Sequence, residues 1–430
     1  MSVVNVSLAY GKGKLDVKLS GFKVDVIEPK RQPGLSNESA SIFSALDHPV
    51  GVEPLREWLG PNCRVCVTFT DLTRPTPNER LIPLLLEYVR RYGVRPEQIT
   101  LLNQLGTHRP NTKEELERLL TPSVVRSYRV LNHEPENPDA LVQLGFTTSG
   151  APALINRHFV EADVRIVTGF IEPHLFAGFS GGVKCIMPGV AGLKTIVSNH
   201  GYSHIADPRA TFGVIEGNPV WEEMRDIALR VGRSFLLNVS LNNDRELTGV
   251  FAGHILESHK AGCEFVRESV MQRVDTPYEV VVTTNSGYPL DLNLYQTAKG
   301  IGAAARIVRR GGTIVVAAEC CEGIPPQSSF ERLLHSVKGP VELLQLLHDS
   351  PNPVPDQWQA QIQAICQQHA RVLLYSQMSD VDVSAAHLIP CHDIAQEVQS
   401  IVNRRGNDIR IAVLPYGPLT IPYLAQEHSA

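Results

Sequence analysis

The feature that most constrains this chain is an alternation. Short apolar runs recur, each followed by a polar loop and then a segment of helical period. Cys63 to Thr70 runs into Asp71-Leu-Thr-Arg-Pro75, and a helix from Glu79 to Tyr92 follows, with Asn78 as its expected cap. Gln98 to Leu102 leads to Gly106-Thr-His108-Arg109, and the capping box Thr112-Lys-Glu-Glu115 opens another helix. Ser127 to Asn132 ends at His133-Glu134, and Val164 to Val167 precedes Glu172-Pro173-His174. Strand, loop and helix in repetition call for a parallel sheet with helices on its faces.

A second series begins near residue 275. Tyr278 to Thr283 reads as a strand, Leu294 to Arg310 as a helix and Thr313 to Ala318 as a strand. Trp358 lies near the start of a helix reaching about Ala370, and Ile409 to Leu414 is the last strand. At 430 residues the chain is too long for one ordinary core. We expect an α/β protein of two α/β domains, 1–274 and 275–415, with a tail, 416–430, packing back on the first domain. Ahead of the alternation, residues 1–30 read as a hairpin and a third strand. Pro219 to Val231 reads as a helix, Phe235 to Val250 as a hairpin, and His254 to Val274 as one long helix.

Charge narrows the function. A net charge of −5 leaves no basic surplus for general nucleic-acid binding. No stretch approaches the ~20 apolar residues of a membrane span, and the first residues lack a secretory pattern, so a cytoplasmic protein is expected. Eight scattered cysteines fit reduced thiols. Cys63-Arg-Val-Cys66 reads as part of a strand, where its two thiols would face opposite sides, and no second pair completes a zinc site.

In open parallel sheets, ligands bind beyond the carboxyl ends of the strands. Asp71, Arg74, His108, His133 and His174 all fall near such ends. The stretch Gly169 to His200 is the densest in chemistry. Gly178-Phe-Ser-Gly-Gly-Val-Lys184 is not a Walker loop, because Val183 separates glycine from lysine and Cys185 follows. Local pattern leaves a phosphate cradle and a tightly packed turn equally open. His200 and His204, four apart on an expected helix, have zinc-ligand spacing without the glutamate of a metalloprotease. Two histidines at converging strand ends suit an acid and a base on opposite sides of a substrate. Arg74 suits a carboxylate, as do Gln296 and Lys299 one helical turn apart; ordinary ion pairs and a solvated helix face are the plain alternatives.

With those residues assembled, the chain resembles the nickel-pincer-nucleotide lactate racemase family. The matching motifs are Asp71-Leu-Thr-Arg-Pro75, Gly106-Thr-His108-Arg109, Glu172-Pro-His174 through Lys184, His200, Gly287-Tyr-Pro-Leu-Asp291, Tyr295-Gln296, Lys299 and Trp358. The resemblance implies an active-site cleft between two α/β domains. It implies a racemase or epimerase that inverts C2 of a 2-hydroxy acid by reversible hydride transfer, with His108 and His174 as acid and base. It implies a pyridinium mononucleotide with two sulfur-containing arms, tethered to Lys184 by a thioamide and loaded by separate biosynthetic proteins. His200 would be the protein's only nickel ligand. Phe176 would stack on the pyridinium, Asp71 would bond the ribose side and Gly178 would receive the phosphate. Arg74, Gln296 and Lys299 would hold the substrate carboxylate, while Tyr295 and Trp358 shape its pocket. Lactate is the default substrate; longer, aromatic, malate-like or sugar acids stay open. So do a non-catalytic cofactor carrier, a zinc hydrolase and a nicotinamide-dependent dehydrogenase.

Overall fold

The computed structural model describes residues 3–21, 23–350, 352–406 and 409–425. The last five residues of the expected tail, 426–430, lie outside the described residues. The chain divides into two compact units. A terminal unit takes residues 1–30, 201–206 and 269–430; an internal unit takes 31–200 and 207–268. Where the sequence pointed to one cut near 275, the first thirty residues and a short inner segment thus cluster with the C-terminal chain.

The internal unit holds a six-stranded sheet. Its order is Leu247–His254, Phe235–Leu241, Val164–Phe170, Val65–Thr70, Ile99–Gln104 and Arg129–Asn132. Every pairing is parallel except the edge hairpin Phe235–Leu241 with Leu247–His254. Val65–Thr70 is buried at all six positions, as a central strand covered on both faces must be. From it the chain winds outward through Ile99–Gln104 to Arg129–Asn132, then returns to its other side with Val164–Phe170. That reversal is the topological switch point, beside which ligands bind. The helix Asn78–Arg91 covers the sheet with Leu81, Ile82, Leu85, Leu86 and Val89, packed in one cluster with Val67 and Phe69. Burying each such side chain stabilises the unit by roughly 1.5–3 kcal/mol.

The terminal unit repeats the plan. Its six strands run Ile389–Pro390, Arg371–Tyr375, Val308–Ala317, Tyr278–Thr284, Arg410–Leu414 and Lys23–Val26, all parallel. The N-terminal hairpin, Val3–Tyr10 with Gly13–Ser20, packs Val6, Leu8, Val17 and Leu19 against the sheet's Val280, Val282, Ile411 and Val413. Ile421–Leu424, in the C-terminal tail, pairs with Met271–Val274.

Several elements differ from their sequence reading. Asn78 is not the cap: Pro77 holds that place without a side-chain bond. Asn78 instead donates through Nδ2 to the Thr70 carbonyl, 2.9 Å, clasping the strand end to the helix start. The long helix from His254 is shorter, Glu257–Val270, because Met271–Val274 leaves it to form a strand. The helix from Leu294 stops at Ala305. Cys63 lies before the strand, which begins at Val65, so the facing argument for the cysteine pair does not apply. His200 caps the helix Leu193–Asn199, whereas His204 sits in a separate helix, Tyr202–Ala206, so the pair shares no helix face. Among the described residues no helix is long and apolar enough to cross a membrane.

Candidate active site

Three adjacent strands of the internal sheet, Val164–Phe170, Val65–Thr70 and Ile99–Gln104, end in loops that carry the candidate chemistry. Asp71 follows Thr70 directly and is 2 % exposed. His108 follows the third strand through a turn in which Gly106 has φ +56° and its N–H donates to the Gly189 carbonyl. The His108 Nδ1 lies 2.8 Å from Asp71 Oδ2. Thr73 adds its hydroxyl, 3.0 Å from Asp71 Oδ1. Burial by itself would raise the Asp71 pKa; the bond and charge of His108, then the Arg74 charge and the Thr73 bond, outweigh it and hold the carboxyl below its usual range. An acceptor-only carboxylate facing Nδ1 makes Nδ1–H the donor, which leaves Nε2 of neutral His108 with a lone pair. That is the state of a base.

Asp71 is therefore committed to His108, a role the sequence did not suggest; the resemblance had given it the ribose. The neighbouring Arg109 turns elsewhere. Its guanidinium makes two bonds, 2.8 and 2.6 Å, to Glu115, which also accepts from the Thr112 N–H in the expected capping box.

His174 sits in a two-residue strand that pairs antiparallel with Gly178–Phe179. Ser180 locks this hairpin, donating to the Phe170 carbonyl at 2.8 Å and accepting from the Glu172 N–H at 2.9 Å. The Ala177 N–H points at His174 Nδ1, 3.3 Å away. The buried Phe176 ring stands edge-on to His174, 4.6 Å between centroids, and to His200, 5.0 Å. Asn218 fixes Phe176 from outside by donating to its carbonyl at 2.9 Å. The structure thus places His174, Phe176 and His200 in one row.

The glycines between them serve packing. At Gly178, φ is +74° and a Cβ would lie 2.3 Å from the Val214 carbonyl oxygen. At Gly182 a Cβ would strike the ring of His259, and the backbone N–H donates to Asn238 Oδ1 at 2.8 Å. The space that the missing side chains leave is filled by protein. A packed turn accounts for glycine at both positions.

Lys184 lies in the short 3-10 turn Gly182–Cys185 and is half-buried. Burial pushes the neighbouring Cys185 thiol up to about 12, against the opposing charges of Lys184 and Arg74. A thiol so placed stays protonated at neutral pH and is no nucleophile.

His133, near the strand ends in the sequence, drops out as a base. It bonds the Ala191 carbonyl at 2.8 Å and Asn156 at 3.1 Å, and burial lowers its pKa to about 4. His259, overlooked in the sequence, is likewise buried, its pKa lowered to about 4, and it donates to the Ser180 carbonyl at 2.8 Å. It is a prop for the glycine turn. Asn238, amid the apolar strand Phe235–Leu241, and Glu223, on the apolar face of the helix Pro219–Leu229, were also missed. A lone polar residue inside a buried pattern was the available signal in both.

Tyr295, Gln296 and Lys299 stand at the head of the helix Leu294–Ala305, which follows the central strand of the terminal sheet. Asn293 caps that helix by accepting from the Gln296 N–H. Trp358 Nε1 donates to Tyr295 Oη at 3.2 Å, and that hydroxyl donates to Asp356 at 3.1 Å. Among the described residues, buried Gln296 Oε1 has no hydrogen-bond partner. The Gly287–Asp291 motif is structural: Asp291 accepts from the Gly11 N–H at 2.7 Å and the Glu319 N–H at 3.1 Å, tying hairpin to sheet.

Among the described residues no group of three or more His, Cys, Asp or Glu side chains could hold a metal ion. A metal at His200 would therefore take its other ligands from outside this set, and a zinc centre of His200 with His204 has no third ligand there.

Two family models match the chain. Residues 10–213 match the lactate racemase N-terminal domain and residues 274–421 the lactate racemase C-terminal domain. The lactate racemase of Thermoanaerobacterium thermosaccharolyticum is 32% identical over 424 residues, covering 96% of this chain and 98% of that one. The lactate racemase of Lactiplantibacillus plantarum is 34% identical over 386 residues, covering 89% and 90%. The solved apoprotein of the former superposes with a TM-score of 0.91, covering 97% of this chain and 100% of that one. A Thermotoga maritima protein, 20% identical with a TM-score of 0.68 over 92% of this chain and 100% of its own, shares the fold.

Proposed function

Since this chain belongs to the lactate racemase family and is an isomerase, we propose that it inverts C2 of a 2-hydroxy acid, lactate first among them, with His108 and His174 as its acid and base. The observation that carries the reading is the Asp71–His108 pair on the loops of two adjacent strands, with His174 on the loop of the third.

The donor chemistry fits a nickel-pincer nucleotide. His200 offers one imidazole, Lys184 a primary amine able to form a thioamide, and Phe176 an aromatic ring beside His200. With His200 as the protein's only ligand, nickel would take its remaining donors from the nucleotide, while Lys184 would tether it and Phe176 would stack on its ring. When bound, the nucleotide would supply a reversible acceptor for the C2 hydride. His108, its Nε2 lone pair exposed by the bond to Asp71, takes the proton of the substrate hydroxyl, and C2 becomes planar as the 2-oxo acid. For inversion, His174 would deliver the proton to that oxygen from the opposite side. The opposite enantiomer uses the two histidines in reverse order. On the family resemblance, Arg74, Gln296 and Lys299 are the proposed partners of the substrate carboxylate, each with the donors such an anion needs. Tyr295 and Trp358, linked by the Trp358 N–H to the Tyr295 hydroxyl, which in turn donates to Asp356, are the proposed walls of the substrate pocket.

Asp71 is proposed here as the orienting partner of His108, with any ribose contact secondary. The phosphate assignment at Gly178 rests on the resemblance alone. Loading by separate biosynthetic proteins is part of the same proposal. The eight free cysteines suit a reducing compartment such as the cytoplasm.

The test is to load the protein with nucleotide and nickel and incubate it with single enantiomers of 2-hydroxy acids, read by chiral chromatography. Lactate of either hand should converge on equal amounts of both. A loaded protein that leaves every 2-hydroxy acid unchanged would favour the carrier reading. On Lys184→Ala, intact-protein mass spectrometry should find no adduct; an adduct there would refute the tether.

A further inference from the structure

His200 belongs to a short hydrogen-bonded series that the proposed reaction does not use. Asn199, fully buried beside it, bonds Glu223, Val220 and His200. Its Nδ2 lies 2.9 Å from Glu223 Oε2 and 3.1 Å from the Val220 carbonyl oxygen. Both partners are acceptors, so this end of the amide must be the NH2 group. The carbonyl end then faces His200 Nδ1 at 3.0 Å. A carbonyl only accepts, so the proton is on Nδ1. Neutral His200 thereby presents its lone pair at Nε2, the form in which an imidazole binds a metal.

Glu223 is held in turn. Its Oε1 accepts from the Thr148 N–H at 2.7 Å and from the Thr148 hydroxyl at 2.5 Å. It is 4 % exposed, on a helix face otherwise filled by Val220, Trp221, Met224 and Ile227. A carboxylate in that place is costly unless its bonds are all made, and packing alone would be served by an apolar residue. The bonds explain why a carboxylate is there. With Oε1 taken by Thr148, Oε2 is left to accept from Asn199, and together with the Val220 carbonyl it sets which way that amide points.

We propose that Asn199 and Glu223 are positioning residues that fix His200 as its Nδ1–H tautomer and aim its Nε2 lone pair at the nickel. The proposal rests on the cofactor reading above. Ligating histidines commonly give their second N–H to such a partner, and its loss typically weakens metal binding 10–100-fold.

Two measurements test it. In ¹⁵N-labelled full-length apoprotein, the His200 ring signals, identified by their loss in His200→Gln, should report a protonated Nδ1 and a bare Nε2. Asn199→Ala should redistribute the tautomers, whereas Asn199→Asp, which keeps an acceptor, should retain Nδ1–H. In the loaded enzyme, nickel should pass to a chelator at least tenfold faster from Asn199→Ala and Glu223→Gln than from wild type, with the adduct mass on Lys184 unchanged. Glu223→Gln carries the same test if Asn199→Ala folds poorly. An Nε2–H tautomer in the wild type, or equal nickel loss from wild type and both variants, would overturn the relay while leaving the cofactor reading standing. A loaded wild type holding no nickel would overturn the cofactor reading and the relay's purpose with it.

Discussion

The two units build the same kind of sheet and spend its strand ends differently. In the internal unit the loops after three adjacent strands carry Asp71, His108 and His174, and the first two are bonded to each other. In the terminal unit the loop after the central strand carries Asp291, which is bonded to backbone N–H groups of the hairpin and of residue 319. One set of ends bears groups that can exchange protons. The other is closed by structural bonds, and its polar side chains stand one step later, on the first turns of the helix Leu294–Ala305. A parallel sheet with a switch point supplies a place for a ligand; whether that place does proton chemistry depends on which side chains the loops leave in it.

The comparison breaks most directly at the histidines. His108→Ala or His174→Ala should lower racemisation by about 10²–10⁴-fold, the span that a positioned acid or base supplies, with nucleotide and nickel still loaded. Full activity in either variant would remove the distinction between the units. Next comes the packed turn that carries His174. Gly178→Ala puts a Cβ against the Val214 carbonyl at positive φ, and should destabilise the protein by roughly 1–3 kcal/mol, read as a lower denaturant midpoint. An unchanged midpoint would mean that the turn is open enough for a ligand after all.

Asp71 gives a prediction with a definite sign. Its pKa is lowered in the fold. A depressed carboxylate stabilises the fold fully above its ordinary pKa, and that contribution disappears as pH falls through the lower, folded value. The stability gap between wild type and Asp71→Asn should therefore be widest at neutral pH and narrow towards acid. Denaturant titrations at several pH values check this, and a gap that widened in acid would contradict the pairing. The smallest effect belongs to the terminal unit. Trp358→Phe removes the bond to Tyr295 but keeps an aromatic ring, and should cost about 0.5–1.5 kcal/mol, seen in thermal melts of the apoprotein. A cost of several kcal/mol would make this pair a cornerstone of the terminal unit.

Much of this was legible in the sequence. Strand–loop–helix alternation located most strands of the internal sheet and three of the terminal one, but not Arg371–Tyr375 or Ile389–Pro390, and the strand-end rule put Asp71, His108 and His174 at one end of the internal sheet. The features that stayed hidden depend on the third dimension. Asn78 looked like a cap because a capping residue is recognised by the helical residues after it, but its amide found a better partner in the neighbouring strand end. His200 and His204 looked like one helical pair because the break between them carries no proline. The pattern around Gly178 and Gly182 left a phosphate cradle and a packed turn equally open, because sequence cannot show that Val214 and His259 pack beside them. Glu223 reaches Asn199 from 24 residues away, and no local pattern announces such a bond.

The central claim is that the bond broken and remade at C2 moves as hydride, with the histidines handling only the hydroxyl proton. It is tested by giving the loaded enzyme L-lactate deuterated at C2 in ordinary water and weighing the D-lactate formed. The account predicts that the D-lactate keeps its deuterium through the first turnovers, because the histidines exchange with water and the hydride does not. Product that has lost its deuterium to solvent would mean proton abstraction from carbon, and would contradict it.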